Sequence, residues 1–285
     1  FRRFIRSKTF YQMGTGQEQK REFQYLQVQA GNGLYIWNDY DSNGLKTLNE
    51  FELASELDKA RADYIKIFTP VAGFITTNST KITQTLELNP AVFLSRNSKK
   101  NSFIGKLNSF SSLMIDKKVL PRVATFFVNP FNNEIGDTTL INQAQNFRST
   151  LFYNRGNPKY SLDYTFLSGS SKILLTNGFD SRLTNSHVFN TRFSLSRMIT
   201  LSAKGIVGSK TYLSEFFGNR SYNYDFYEFQ PKLQFILGTS HRLEIKSKLF
   251  DAMNLSSYGG ETTRNIEIGC DYRYTKASKG VLNFG

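Results

Sequence analysis

Tyr160-Ser161-Leu162-Asp163-Tyr164-Thr165-Phe166 sets an apolar or aromatic side chain at every second position and a polar one between. A period of two is the signature of a strand with one oily and one wetted face; a helix would scatter the same residues around its whole circumference. The pattern returns three times. Tyr227, Phe229, Leu233, Phe235 and Leu237 interleave with Glu228, Gln230, Lys232 and Gln234. Leu243, Ile245 and Leu249 interleave with Arg242, Glu244, Lys246 and Lys248, and Ile266, Ile268, Cys270, Tyr272 and Tyr274 with Asn265, Glu267, Asp271 and Arg273. The C-terminal half reads as a succession of two-faced strands.

The connections extend the reading. Residues 168–171, 196–198, 238–240 and 276–279 read as short turns, and 176–186, 209–223 and 251–264 as long loops. A short–long rhythm suits an up-and-down transmembrane barrel with tight turns on one side of the membrane and longer loops on the other. A sandwich with Greek-key crossovers has no reason to keep it. Tyr222, Tyr224, Phe226, Tyr272 and Tyr274, near strand ends, are candidates for aromatic girdles. The fold class expected is mainly β: a partial antiparallel transmembrane β-barrel over 81–285, preceded by a small mixed module over 1–80. Strand lengths allow roughly seven strands after residue 158 and about three to five before it, among them 82–88, 103–115 and 123–128. The connection 154–158 is short where the rhythm calls for a long one. The chain ends just after a strand begins, so further C-terminal strands are expected.

In the N-terminal module, 8–13 and 21–29 read as strands joined by a turn over 14–19. Gly31-Asn32-Gly33 breaks the chain before Leu34-Tyr35-Ile36-Trp37. The run from Asp39 to Glu50 then fits a calcium loop at every ligand position. Asp39, Asp41 and Asn43 offer side-chain oxygens, Leu45 a backbone carbonyl, Thr47 a contact through water, and Glu50 two carboxylate oxygens. Gly44 stands where the chain must turn sharply. A helix is expected from Asn49 to about Ala62, with Leu53, Leu57, Ala60 and Tyr64 as its apolar stripe. Residues 65–68 return to strand and Pro70 stops it. A loop between strand and helix, with Lys46 where paired loops carry an aliphatic residue, suits a fixed structural Ca2+ rather than a sensor. Three carboxylates suggest a dissociation constant of about 10⁻⁴ to 10⁻³ M, as in extracellular modules.

Composition narrows the classes. The 285 residues include 26 Phe and 15 Tyr, with a formal charge of +13. There is no run of 18 apolar residues, which excludes a transmembrane helix and leaves a barrel open. One cysteine, Cys270, excludes an intrachain disulfide, and two histidines, His187 and His241, leave little for histidine chemistry. The basic residues are dispersed along alternating segments and form no dense patch, which argues against nucleic acid. Outer-membrane lipid and lipopolysaccharide, with other envelope proteins, are the expected partners.

Gly14-Thr-Gly-Gln-Glu-Gln-Lys-Arg-Glu-Phe23, Gly33-Leu-Tyr-Ile-Trp37, the run 39–50 with Phe51-Glu52, and Tyr64-Ile-Lys-Ile-Phe-Thr-Pro70 together resemble a region of very large Bacteroidota outer-membrane proteins. Leu151-Phe-Tyr-Asn-Arg155 with Pro158, and Leu174-Leu-Thr-Asn-Gly-Phe179, resemble segments of their barrels. The resemblance implies a calcium-type loop ahead of a C-terminal barrel, more strands than this chain holds and a large upstream portion.

The expected function is a non-enzymatic, porin-like pore, conduit or scaffold of the bacterial outer membrane, its lumen lined by Lys159, Asp163, Arg192, Lys204, Lys232, Arg242, Glu244, Lys246, Lys248, Asp271 and Arg273. The alternative is a secreted, soluble, calcium-stabilised adhesin or glycan-binding protein, with Tyr35 and Trp37 exposed to stack on sugars. An enzyme is disfavoured. Glu228 and Glu244 show no spacing of a catalytic pair, no Gly-x-Ser-x-Gly elbow occurs, and Gly14-Thr-Gly16 is too short to cradle phosphate.

Overall fold

The computed structural model describes residues 4–40, 42–55, 58–93, 103–121, 139–175, 178–215, 220–255, 257, 259–276 and 280–284. Among the described residues thirteen strands form one antiparallel sheet. They are β1 (Ile5–Gln27), β2 (Tyr35–Trp37), β3 (Phe51–Leu53), β4 (Tyr64–Leu88), β5 (Leu107–Val119), β6 (Leu140–Tyr153) and β7 (Tyr160–Leu175). There follow β8 (Gly178–Ser194), β9 (Ile199–Ser214), β10 (Tyr222–Leu237), β11 (His241–Asn254), β12 (Thr262–Lys276) and β13 (Gly280–Phe284). From β4 to β13 each strand pairs with its sequence neighbour, and β1 lies along the other edge of β4. The sheet is not closed: among the described residues β1 pairs only with β4, and β13 only with β12.

Register assigns every residue to a face, because directly opposed residues point the same way. Tyr164 opposes Phe189, and Phe229 opposes both Gly205 and Leu249, which in turn opposes Ile266. These belong to one face, and its apolar side chains lie open: Ile268 is 80% exposed, Ile266 61% and Phe189 53%. The opposite face collects all ten strand residues expected to share a polar side, from Asp163 and Arg192 to Asp271 and Arg273. The sheet curls around it, so that this concave face lines an open cavity of about 940 Å³. On it Phe226 is buried at 7% exposure. Its ring lies against Gly208 of the next strand, where a Cβ would stand 2.9 Å from Cζ of Phe226 and 2.4 Å from the Asn185 carbonyl oxygen.

Several expected turns are strand. β1 runs through 14–19, because Thr76, Thr77, Asn78 and Ser79 of β4 pair with it across the glycines. Tertiary pairing overrides local turn chemistry there. β4 runs through Pro70 and across residue 80; the ladder with β1 shifts register between Gln19 and Arg21, and such an irregularity tolerates a residue without an N–H. Gly73, φ +115°, lies in the same interruption. Residues 168–171 sit inside β7, laddered to β6 and β8 on both sides, and β8 starts directly after 176–177 where a loop to 186 was expected. From β8 onward short and longer gaps between strands alternate as expected, but the loops expected over 209–223 and 251–264 are shorter, because β9 runs to Ser214, β10 starts at Tyr222, β11 runs to Asn254 and β12 starts at Thr262. The strand expected over 123–128 lies outside the described residues.

The expected helix over 49–62 does not form. Residues 48–50 make one 3-10 turn, 51–53 are β3 and 59–61 another 3-10 turn. A helix of that length needs a buried stripe to be stable in water. Phe51 instead stacks on Tyr25 at 4.0 Å and packs edge-on to Tyr64 at 4.9 Å, which requires β3 to pair with β2. Leu53, meant for the stripe, is 69% exposed.

Candidate functional site

Two places carry chemistry: the hairpin loop of the N-terminal lobe and the concave face of the sheet. The loop joins β2 to β3, not a strand to a helix, because Trp37 opposes Phe51 and the Asn38 N–H donates to the Glu50 carbonyl at 2.9 Å. Asp39 organises it. Its Oδ2 accepts the Gly44 N–H at 2.8 Å and its Oδ1 the Asn43 N–H at 3.1 Å. Asn43 Oδ1 accepts the Leu45 N–H at 2.6 Å, and Gly44 takes a positive φ of 69°. At the far end Glu50, buried at 4% exposure, accepts the Thr47 N–H at 2.9 Å and the Trp37 indole N–H at 3.0 Å. The Thr47 amide first, and then the Trp37 indole, hold the Glu50 carboxyl below the usual range, because both bonds favour its ionised form. Lys46 Nζ stands 5.5 Å from the centroid of the Trp37 ring and 5.2 Å from that of Tyr64.

Carboxylate, amide and carbonyl oxygens are the donors a hard divalent cation takes. Asp39, Asn43, Leu45, Thr47 and Glu50 lie in this one loop; Asp41 lies outside the described residues. Among the described residues no three of His, Cys, Asp and Glu converge as a metal group. Glu50 already serves as the hydrogen-bond anchor of the loop, a role the motif alone does not reveal. Tyr35 and Trp37 are half-buried, not exposed: Tyr35 packs 5.1 Å from Tyr25, and Trp37 is tied to Glu50.

The concave cavity crosses β7 to β12 beside the short connections. Arg155, Arg192, Lys204, Lys232, Lys246 and Lys248 line it against the acids Asp163, Glu244 and Glu267. The two halves differ. Over β10 to β12 the cations are matched: Lys232 lies 2.5 Å from Glu244, Lys246 2.5 Å from Asp271 and Lys248 3.8 Å from Glu267. Over β7 to β9 a single acid, Asp163, stands among three cations. There Arg155 rests 4.3 Å from the Phe152 centroid, Arg192 donates to the Asn157 carbonyl at 2.9 Å, and Lys204 has no ion pair among the described residues. Lys159, expected in the lumen, sits in the connection before β7.

Aromatic residues divide between the faces. Tyr222, Tyr224 and Phe226 share parity with Lys232 on β10, so they belong to the concave face and not to an outward girdle. The alternation of β10 held the signal, since Tyr224 and Glu228 are four residues apart. Tyr272 and Tyr274 do take the convex face, near the short connections. Tyr153, Tyr160 and Phe193 extend that row, with successive centroids 6.3 Å apart. The histidines belong here too: His241 Nδ1 and the Tyr272 hydroxyl share a hydrogen bond of 2.6 Å, as do His187 Nδ1 and Tyr164 at 2.7 Å. No helix among the described residues is long and apolar enough to cross a membrane, which says nothing of strands. Comparison with family models, curated proteins and solved structures finds no match to this chain.

Proposed function

We propose that the sheet is part of the wall of an outer-membrane β-barrel that acts as a conduit or scaffold in a bacterial envelope, with Ca2+ stiffening the 39–50 loop. One observation carries the reading. The convex face leaves Phe189, Phe229, Leu249, Ile266 and Ile268 open, while the charges that line the cavity lie on the concave face. Soluble monomers rarely expose apolar area on that scale. A lipid-facing wall requires it, together with a watery interior. The convex row of Tyr153, Tyr160, Phe193, Tyr272 and Tyr274 beside the short connections suits the interfacial belt of such a wall. A wall of this kind closes when the free edges of β1 and β13 are paired, by one another or through further strands. Within the loop, Asp39, Asn43 and Glu50 would hold the ion with Asp41, the Leu45 carbonyl and, through water, Thr47. The ion would neutralise the acids and fix the hairpin at one end of the wall.

The test is fractionation of the full-length protein, followed by electrophoresis of heated and unheated samples. A heat-modifiable band in the outer-membrane fraction is the expected result. A protein that purifies without detergent and shows no shift overturns the membrane reading and favours a secreted, calcium-stabilised adhesin.

A further inference from the structure

The concave face contains more than scattered charge. Tyr212, Tyr222 and Tyr224 form a ladder on it, with ring centroids 5.5 Å apart from Tyr212 to Tyr222 and again from Tyr222 to Tyr224. Cations flank the rings: Arg182 Cζ lies 5.4 Å from the Tyr212 centroid and Lys210 Nζ 5.8 Å from that of Tyr224. The ladder starts at the end of the longer connections. β9 and β10 carry the same face onward to Lys204 and Gln230, which line the cavity where its two halves meet. Lys210 and Lys204 are six residues apart on one strand, roughly 20 Å.

We propose that this track binds an acidic oligosaccharide, a chain of pyranose rings bearing carboxylates. Tyrosine ring faces match the C–H faces of sugar rings. The Tyr212 hydroxyl donates to Asp180 Oδ2 at 2.7 Å, which fixes that ring at the start of the track. Asn190 and Gln230 add amides that both donate and accept. Arg182, Lys210, Lys204 and Arg192 supply charge at intervals along the path, as a repeating anion requires. An acidic peptide fits less well. Both edges of β8, β9 and β10 are already laddered, so a peptide has no main-chain hydrogen bonds to gain here. Binding needs only the curled sheet; the role of the bound chain as cargo rests on the conduit reading.

The experiment is titration of the detergent-purified full chain with fluorescent oligogalacturonate, and with maltohexaose, poly-glutamate and a single-stranded oligonucleotide as competing probes. Oligogalacturonate is expected to bind with a strong salt dependence, at least tenfold tighter than neutral maltohexaose. Tyr222→Ala and, separately, Lys204→Gln should each weaken it about tenfold; both side chains can be cut without leaving a hole in a packed core, since Tyr222 is 37% exposed and Lys204 lines the open cavity. A convex-face variant, Phe189→Ser, should bind as the parent does. Tighter binding of poly-glutamate or of the oligonucleotide overturns the proposal, as does the absence of oligogalacturonate binding, or binding that both concave variants leave unchanged. A failed heat-shift with intact binding would remove the membrane reading alone.

Discussion

The meander from β6 to β12 and the lobe at 28–63 are built on opposite terms. In the meander each strand from β6 to β11 is flanked on both sides by a long neighbour, so an error at one residue is absorbed by two ladders. In the lobe, β2 and β3 are three residues each, and position depends on single atoms. The Gly31 and Gly33 N–H groups both donate to the Ala62 carbonyl, at 2.8 and 3.0 Å, and a Cβ on Gly33 would come within 2.6 Å of the Tyr64 nitrogen. Regular repetition makes one region tolerant; close approach makes the other exacting.

The contrast can be broken most sharply from the meander. Ile268→Arg, at the middle of β12 on the convex face, should cost about 2–4 kcal/mol in a bilayer, because a cation there faces hydrocarbon. Denaturant titration of folded protein in vesicles measures this, and a neutral result would mean that the convex face meets water. Next is Gly33→Ala, expected to cost about 1–3 kcal/mol through backbone overlap. Limited proteolysis should then cut between residues 28 and 63 while β6 to β12 stay protected; an equally protected lobe would refute the close-approach argument.

Smaller effects probe the loop. Trp37 is the single tryptophan and donates to Glu50, so its emission reports on this hairpin alone. Ca2+ at millimolar concentration should shift that emission and chelator should reverse it; Glu50→Gln and Asp39→Ala should abolish the response while leaving the meander folded. No response in the parent would discard the calcium site. The smallest effect is that of acid. The folded-state pKa of Glu50 is depressed, so its contribution is present above the ordinary carboxylate range and is lost as pH falls through the folded value. Trp37 emission should therefore change only below the usual carboxylate titration, and a transition centred above it would contradict the Thr47 and Trp37 bonds.

The same contrast separates what was legible in the sequence from what was not. Period-two alternation placed Leu243, Ile245 and Leu249 on one face and Arg242, Glu244 and Lys246 on the other, because a strand has only two faces. Strand ends were less legible. The small polar residues at 168–171 and the glycines at 14 and 16 look like turns until neighbouring strands supply their hydrogen bonds. The helix expected at 49–62 gives way because Phe51 serves a stack with Tyr25, a residue 26 positions away in the chain, and no local window sees that partner. The roles of Glu50 with Trp37 and of Tyr222 with Tyr212 were hidden for the same reason: each depends on register, which the chain sets only as it pairs.

Strands that alternate so evenly share a weakness: sliding one past the next by two residues keeps every oily side chain on the oily side, and the pattern alone cannot forbid it. Gly208 beneath the Phe226 ring can. A two-residue slip would bring the bulk of Ile206 or Lys210 under the ring in its place. This one missing side chain works as a key cut for a single alignment of β9 against β10, and a chain assembling its wall strand by strand is spared a search among near-equal offsets.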